Sequence, residues 1–241
     1  MKLLLLILLF SIIRPSEPVA IVTKTRGKAY LNGKNNKIRM NYPVYLNDNI
    51  IVSKKSFIKI IFLDDGSVIN IYPESSITVE GRIKERKIQK KLILNSGVVQ
   101  AEINPQLIGK FKLVTNNSEL ACIECSFWAI GREGREDKFF KIEHEAIVLN
   151  KSVEFEKTLK SDSTLFSISG KDPYLIETSV SELKLLELLL LDAEEIIQTE
   201  STELVESDAS NVNVLTKNIL RIKLTNAANI ERELILTFTQ E

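Results

Sequence analysis

The sequence predicts a mainly β protein: an antiparallel β roll or sandwich with one C-terminal helix and a terminal hairpin. Three observations lead there. Short runs rich in β-branched residues recur at spacings of about 8–12 residues, the rhythm of sandwiches, rolls and barrels. Turn chemistry separates these runs, at Asn32-Gly33, Asn47-Asp48, Asp64-Asp65-Gly66-Ser67, Ser96-Gly97 and Asn116-Asn117. No helix of useful length interrupts the stretch from Val19 to about Asn150, which argues against a parallel α/β sheet.

The chain opens with Met1-Lys2 and an apolar run from Leu3 to Phe10, extended through Ser11-Ile12-Ile13 and stopped by Arg14, Pro15, Glu17 and Pro18. A core of about eleven apolar residues has the length of a signal-peptide hydrophobic region, whereas a spanning helix needs about 20. Residues 1–18 are therefore expected to direct export, with cleavage near Ser16 or Ala20; retention as an N-terminal anchor is the alternative. No Cys follows the run, so a lipid-modified N-terminus is not expected. The mature chain is expected in the periplasm or outside the cell, in an oxidising compartment.

Residues 19–155 read as the β domain. Ser56 to Leu63 and Val68 to Tyr72 read as successive strands around Asp64-Asp65-Gly66-Ser67, whose Asp and Gly tolerate positive φ and so signal a hairpin. Ile77 to Glu80 and Val99 to Ile103 alternate as strands with one buried face do. Further strands are expected at 28–31, 49–53, 91–94, 111–115, 139–142 and 146–149, with Val153-Glu154-Phe155 as a last one. Residues 156–198 form an extension. In it Ser179-Val180-Ser181-Glu182 has capping-box spacing ahead of a helix from Leu183 to Ile197, with six leucines between Leu185 and Leu191. That helix either covers the open face of the β domain or binds a partner. Thr199 to Asn213 carries Glu200, Glu203, Glu206 and Asp208 without a basic residue, an acidic linker over 199–213. Residues 214–241 close the chain as a hairpin, either completing the main sheet or pairing with another chain.

Charge narrows the function. Lys plus Arg and Asp plus Glu both total 32 in 241 residues, so no basic excess recommends nucleic acid as a partner. No phosphate-binding glycine loop, HExxH or GxSxG occurs, and no catalytic set assembles. Asp64-Asp65 reads as turn chemistry rather than an acidic dyad. His144 stands between Glu143 and Glu145 as an exposed turn residue, and as the only His it leaves a Cys-His or Ser-His mechanism unsupported. No metal or cofactor is expected, because zinc would need ligands beyond Cys122, Cys125 and His144.

Two features are candidate binding elements. The stretch from Arg82 to Lys91 holds six basic residues and reads as a solvated hairpin tip; Arg82, Lys84, Arg86 and Lys87 could contact an acidic envelope polymer. Trp128, the only Trp, follows Phe127, so alternation sends one of the pair into the core and leaves the other able to line a ligand surface. Cys122-Ile123-Glu124-Cys125 is a CxxC in an apparent strand. Residues three apart on a strand are about 10 Å apart, and a disulfide needs Cα atoms within about 7 Å. Cys122 and Cys125 are therefore structural thiols, a local disulfide formed over a bulge or turn at Ile123-Glu124, or a redox or metal pair.

The order of segments from Val22 to about Val153 resembles a FecR domain, the periplasmic part of ferric-citrate-type signalling regulators. Gly27-Lys28-Ala29 matches its opening Gly-x-Ala, and Ile60 to Ser67 its hydrophobic strand with an Asp-Gly-Ser turn. Pro73-Glu74-Ser75-Ser76-Ile77 and Leu94-Asn95-Ser96-Gly97-Val98-Val99 match the next two steps. Leu113-Val114-Thr115 then leads to Ala121 to Trp128, where Cys125-Ser126 stands in place of the usual Gly-Thr. The resemblance implies a non-enzymatic sensing or scaffolding module of the cell envelope, with an envelope protein or glycan as partner. A carbohydrate-binding protein of the envelope is the alternative.

Overall fold

A computed structural model describes residues 17–33, 36–179 and 184, and the backbone of 217–225 and 231–239; at 141–142 only the backbone is described. The first eight strands are β1 (Ala20–Arg26), β2 (Ala29–Leu31), β3 (Pro43–Val44), β4 (Asn49–Val52), β5 (Phe57–Phe62), β6 (Val68–Ile71), β7 (Ser75–Lys84) and β8 (Lys87–Ile103). There follow β9 (Phe111–Val114), β10 (Ser118–Cys122), β11 (Cys125–Gly131), β12 (Asp137–Glu143), β13 (Ala146–Asn150), β14 (Phe155–Leu159), β15 (Ser163–Ser167) and β16 (Tyr174–Glu177). These sixteen join in one ladder. The last two, β17 (Lys217–Thr225) and β18 (Glu231–Thr239), form an antiparallel sheet of their own, from Lys217 opposite Thr239 to Thr225 opposite Glu231. The chain divides into two units at Ala193, and the hairpin belongs to the second.

The large ladder is organised by β8. Its early part pairs with β7 on one side and β9 on the other, and its late part with β6 and β11. One half-sheet therefore runs β2-β4-β7-β8-β9-β10-β13-β14. The other runs β3-β1-β5-β6-β8-β11-β12-β15-β16. Where β8 passes between them, Gly97 takes φ 106° and a Cβ there would run into Ser75. Ser75 Oγ accepts from Val98 N–H at 2.8 Å and donates to Val98 C=O at 3.1 Å, closing the two segments on each other.

Alternation supplies the core. Ile50 and Val52, Ile58 and Ile60, Ile69 and Ile71, Ile77 and Val79, and Phe127 and Ala129 are all buried, and both half-sheets contribute to one cluster. Each Val, Ile or Phe among them adds roughly 1.5–3 kcal/mol when fully buried, so the pattern of period two is also the main source of stability.

Several expectations are corrected. The pairing is antiparallel except between β8 and β9, which is parallel. The chain leaves β8 in one half-sheet and re-enters the other at the end where β8 began. Ser96-Gly97 is not a turn: 91–94 and 99–103 lie in one 17-residue strand, because Gly97 lets the backbone press on Ser75 without breaking the ladder. Val153 and Glu154 lie in a turn ahead of β14, and pairing continues beyond Phe155 through β15 and β16. The expected signal segment before Glu17, the helix from Leu183 to Ile197 (apart from Lys184) and the linker 199–213 lie outside the described residues. Among the described residues no helix is long and apolar enough to cross a membrane.

Candidate functional site

The basic run does tip a hairpin. β7 and β8 pair down to Lys84 opposite Lys87, and Glu85 and Arg86 turn the chain with φ of 52° and 63°. Arg82, Lys84, Arg86 and Lys87 are all exposed there. The outward side of the hairpin stem carries Lys91, paired with Glu80 at 2.8 Å; beside it on β9 stands Lys112, paired with Glu119 at 2.6 Å. A surface recess of about 380 Å³ lies along these residues, from Glu80 and Arg82 to Lys91 and Lys112.

Lys90 leaves that run altogether. It points inward, 1% exposed, and its Nζ donates to Asp64 Oδ2 at 2.9 Å and Asp65 Oδ2 at 2.8 Å. Gln106 joins them, accepting from Lys90 at 3.3 Å and donating to Asp65 Oδ2 at 2.7 Å, while the ammonium stands 5.3 Å over the Phe62 ring. Ile88 N–H donates to Asp64 Oδ2 at 2.9 Å. The Asp-Asp-Gly-Ser turn is thus turn chemistry, with Ser67 N–H donating to Asp65 Oδ1, and also an anion pair for a buried cation. Burial pushes the Asp65 carboxyl up, but the bonds from Lys90 and Ser67 outweigh it and hold the group below its usual range.

Another buried carboxylate has no cation beside it among the described residues. Asp137, fully buried at the start of β12, accepts at Oδ2 from Thr115 Oγ1, from Ser118 Oγ at 3.0 Å and from Asn117 N–H at 3.2 Å. Its Oδ1 has no hydrogen-bond partner. Burial raises its pKa, and the bonds from Thr115, Ser118 and Asn117 offset this only in part.

Trp128 does not line an open ligand surface. Phe127 enters the main core, while Trp128 on the opposite face is 2% exposed, stacked on Tyr72 at 4.9 Å and clustered with Phe140. Alternation assigns the two faces correctly but says nothing of aromatic neighbours brought in by β12 and by Tyr72, just past the end of β6. Cys122 and Cys125 form a disulfide with Cα atoms 6.1 Å apart. The bend that such a bond requires is present, because β10 ends at Cys122 and β11 begins at Cys125.

Beside the disulfide lies an open cleft of about 430 Å³ walled by Glu102, Asn104, Glu124, Glu143 and His144. His144 is exposed in the turn before β13 with φ 57°, and its Nε2 lies 3.6 Å from Glu124. Among the described residues no group of three or more His, Cys, Asp or Glu is placed to hold a metal ion.

No family model matches the chain, and no curated protein matches it. Among solved structures, two crystal structures of a candidate anti-sigma factor from Parabacteroides distasonis ATCC 8503 align with it, both at 11% identity and TM-score 0.47. Each alignment covers 56% of this chain and 62% of the other, so the chain spans less than two thirds of those structures. At that distance the alignments establish neither a family nor an activity.

Proposed function

We propose that this chain is a non-enzymatic, FecR-like module exported to the cell envelope, where it works by protein contact. One observation carries the reading: four of the segments that resemble FecR steps sit where the chain passes between the half-sheets, while Ile60 to Ser67 forms the β5–β6 turn within one of them. Gly27-Lys28-Ala29 joins β1 to β2, Pro73 to Ile77 joins β6 to β7, Leu94 to Val99 is the crossing of β8, and Ala121 to Phe127 joins β10 to β11. Their small and turn residues meet each other there: Lys28 N–H donates to Ser56 Oγ at 2.9 Å beneath Gly27, and Gly97 closes on Ser75. Residues so placed build a scaffold, and the reading assigns recognition to the basic tip from Arg82 to Lys87, which is exposed.

The test is a crosslinked pull-down of the tagged full chain from fractionated cells, with proteins and glycans both analysed. The expected result is recovery in the envelope fraction with one dominant protein. A variant with Arg82, Lys84, Arg86 and Lys87 all changed to Glu should lose that protein. Recovery only in the cytoplasmic fraction would overturn export. Enriched glycan without protein would replace this reading with the carbohydrate-binding one.

A further inference from the structure

The Cys122–Cys125 pair plays no part in the proposed recognition, yet the fold gives it an entrance. The two residues are 3% and 2% exposed, so the disulfide is closed to solvent over most of its surface. Cys125 is the member of the pair that borders the open cleft of about 430 Å³. Ser126, next along β11, stands in register between Glu102 of β8 and Glu143 of β12. Residues opposite each other on adjacent strands share a face, so these two carboxylates flank the approach to Cys125. Glu124, in the bend between the cysteines, adds a third, 3.6 Å from His144. Three carboxylates against one imidazole make the approach acidic.

We propose that Cys122–Cys125 is a reducible site entered through this cleft, whose charge admits thiols that carry a cation and turns away anionic ones. The incoming thiolate attacks Cys125 Sγ, forming a mixed disulfide and releasing Cys122 as a thiolate that takes a proton from water. A second reductant thiolate then attacks the reductant's own sulfur, forming the reductant's disulfide and freeing Cys125, which is protonated in turn. Two electrons pass to the protein, and two reductant thiols become one disulfide. A thiolate that also bears an ammonium group enters with no net charge, whereas one bearing a sulfonate or carboxylate enters doubly negative. Charge of one sign focused in a cleft changes encounter rates by roughly tenfold or more. Reduction also has a structural consequence. Ile123 C=O, inside the ring that the disulfide closes, accepts from Gln106 N–H at 2.9 Å, and the Gln106 side chain bonds both Lys90 and Asp65. Opening the ring loosens the residue that completes the buried Lys90 site, so the reduced chain should unfold at lower urea than the oxidised one.

The test treats the oxidised full chain with cysteamine or with mercaptoethanesulfonate at low salt and one pH. Freed thiols are trapped by alkylation and counted from the intact mass. Each rate is divided by that of the same thiol on the urea-unfolded chain, which removes the intrinsic reactivity of the thiol. The expected result is a preference of about tenfold for cysteamine in the folded chain. It should disappear in about 1 M salt, where the screening length falls to about 3 Å. It should also disappear in a variant combining Glu102→Gln, Glu124→Gln and Glu143→Gln, all at exposed positions. Equal ratios for the two thiols in the unaltered chain would overturn the proposal. So would reduction that proceeds only as fast as the chain unfolds, or a preference that survives in the folded triple variant.

Discussion

The two buried carboxylate sites tie the same half-sheets together by opposite means. At one, Asp64 and Asp65 from the β5–β6 turn meet the Lys90 ammonium of β8. At the other, Asp137 of β12 meets only the hydroxyls and amide of the β9–β10 turn. The Asp65 carboxyl is held below its usual range and that of Asp137 above it, although both side chains are buried. Burial always disfavours the charged form, and the presence of a cation decides the outcome. The sites should therefore respond to pH with opposite signs.

The largest effect is expected from Lys90→Met. It leaves two adjacent buried carboxylates without their counter-charge and should cost about 3–5 kcal/mol in urea unfolding. Adding Asp64→Asn and Asp65→Asn should restore most of the loss; a triple variant no more stable than Lys90→Met would mean that the lysine acts by packing alone.

Asp137→Asn removes a carboxylate but keeps an acceptor for Thr115, and is expected to cost about 1 kcal/mol near pH 5. Because the folded carboxyl lies above its usual range, wild-type stability from this group is greatest in acid and declines as pH rises toward the folded value. The cost of Asp137→Asn should therefore shrink with rising pH.

Asp65 has the reverse sign. Its depressed value gives stability that is present above the unfolded carboxyl range and is lost as pH falls through the folded value. Asp65→Asn should flatten the acid limb of the stability curve and leave the limb governed by Asp137 in place. Parallel limbs in both variants would refute the contrast.

The smallest change is a control on the hairpin that carries Lys90. Glu85 and Arg86 adopt positive φ without being Gly or Asn. Replacing them by Asn-Gly should raise stability by about 1 kcal/mol. The pH dependence of both carboxylate sites should stay unchanged.

The sequence by itself determined the short β-branched strands, such as β5 and β6, the alternating stretch from Ile77 to Glu80 in β7, and the turns at Asp64 to Ser67 and Asn116-Asn117. Local chemistry suffices there, because a side-chain period of two and residues that accept positive φ act within a few positions. It also placed Arg82 to Lys87 at a hairpin tip. What only the tertiary structure decided involves partners far along the chain. Ser96-Gly97 has the composition of a turn, and the press of Ser75 makes it a strand crossing instead. Lys90 looks like its basic neighbours, and only the Asp64-Asp65 turn, brought over from the other half-sheet, provides the charge that lets it be buried. Trp128 and Cys122–Cys125 follow the same rule. An aromatic is buried, or a thiol pair joined, by where other strands or a bend bring their neighbours, and no window of adjacent residues encodes that.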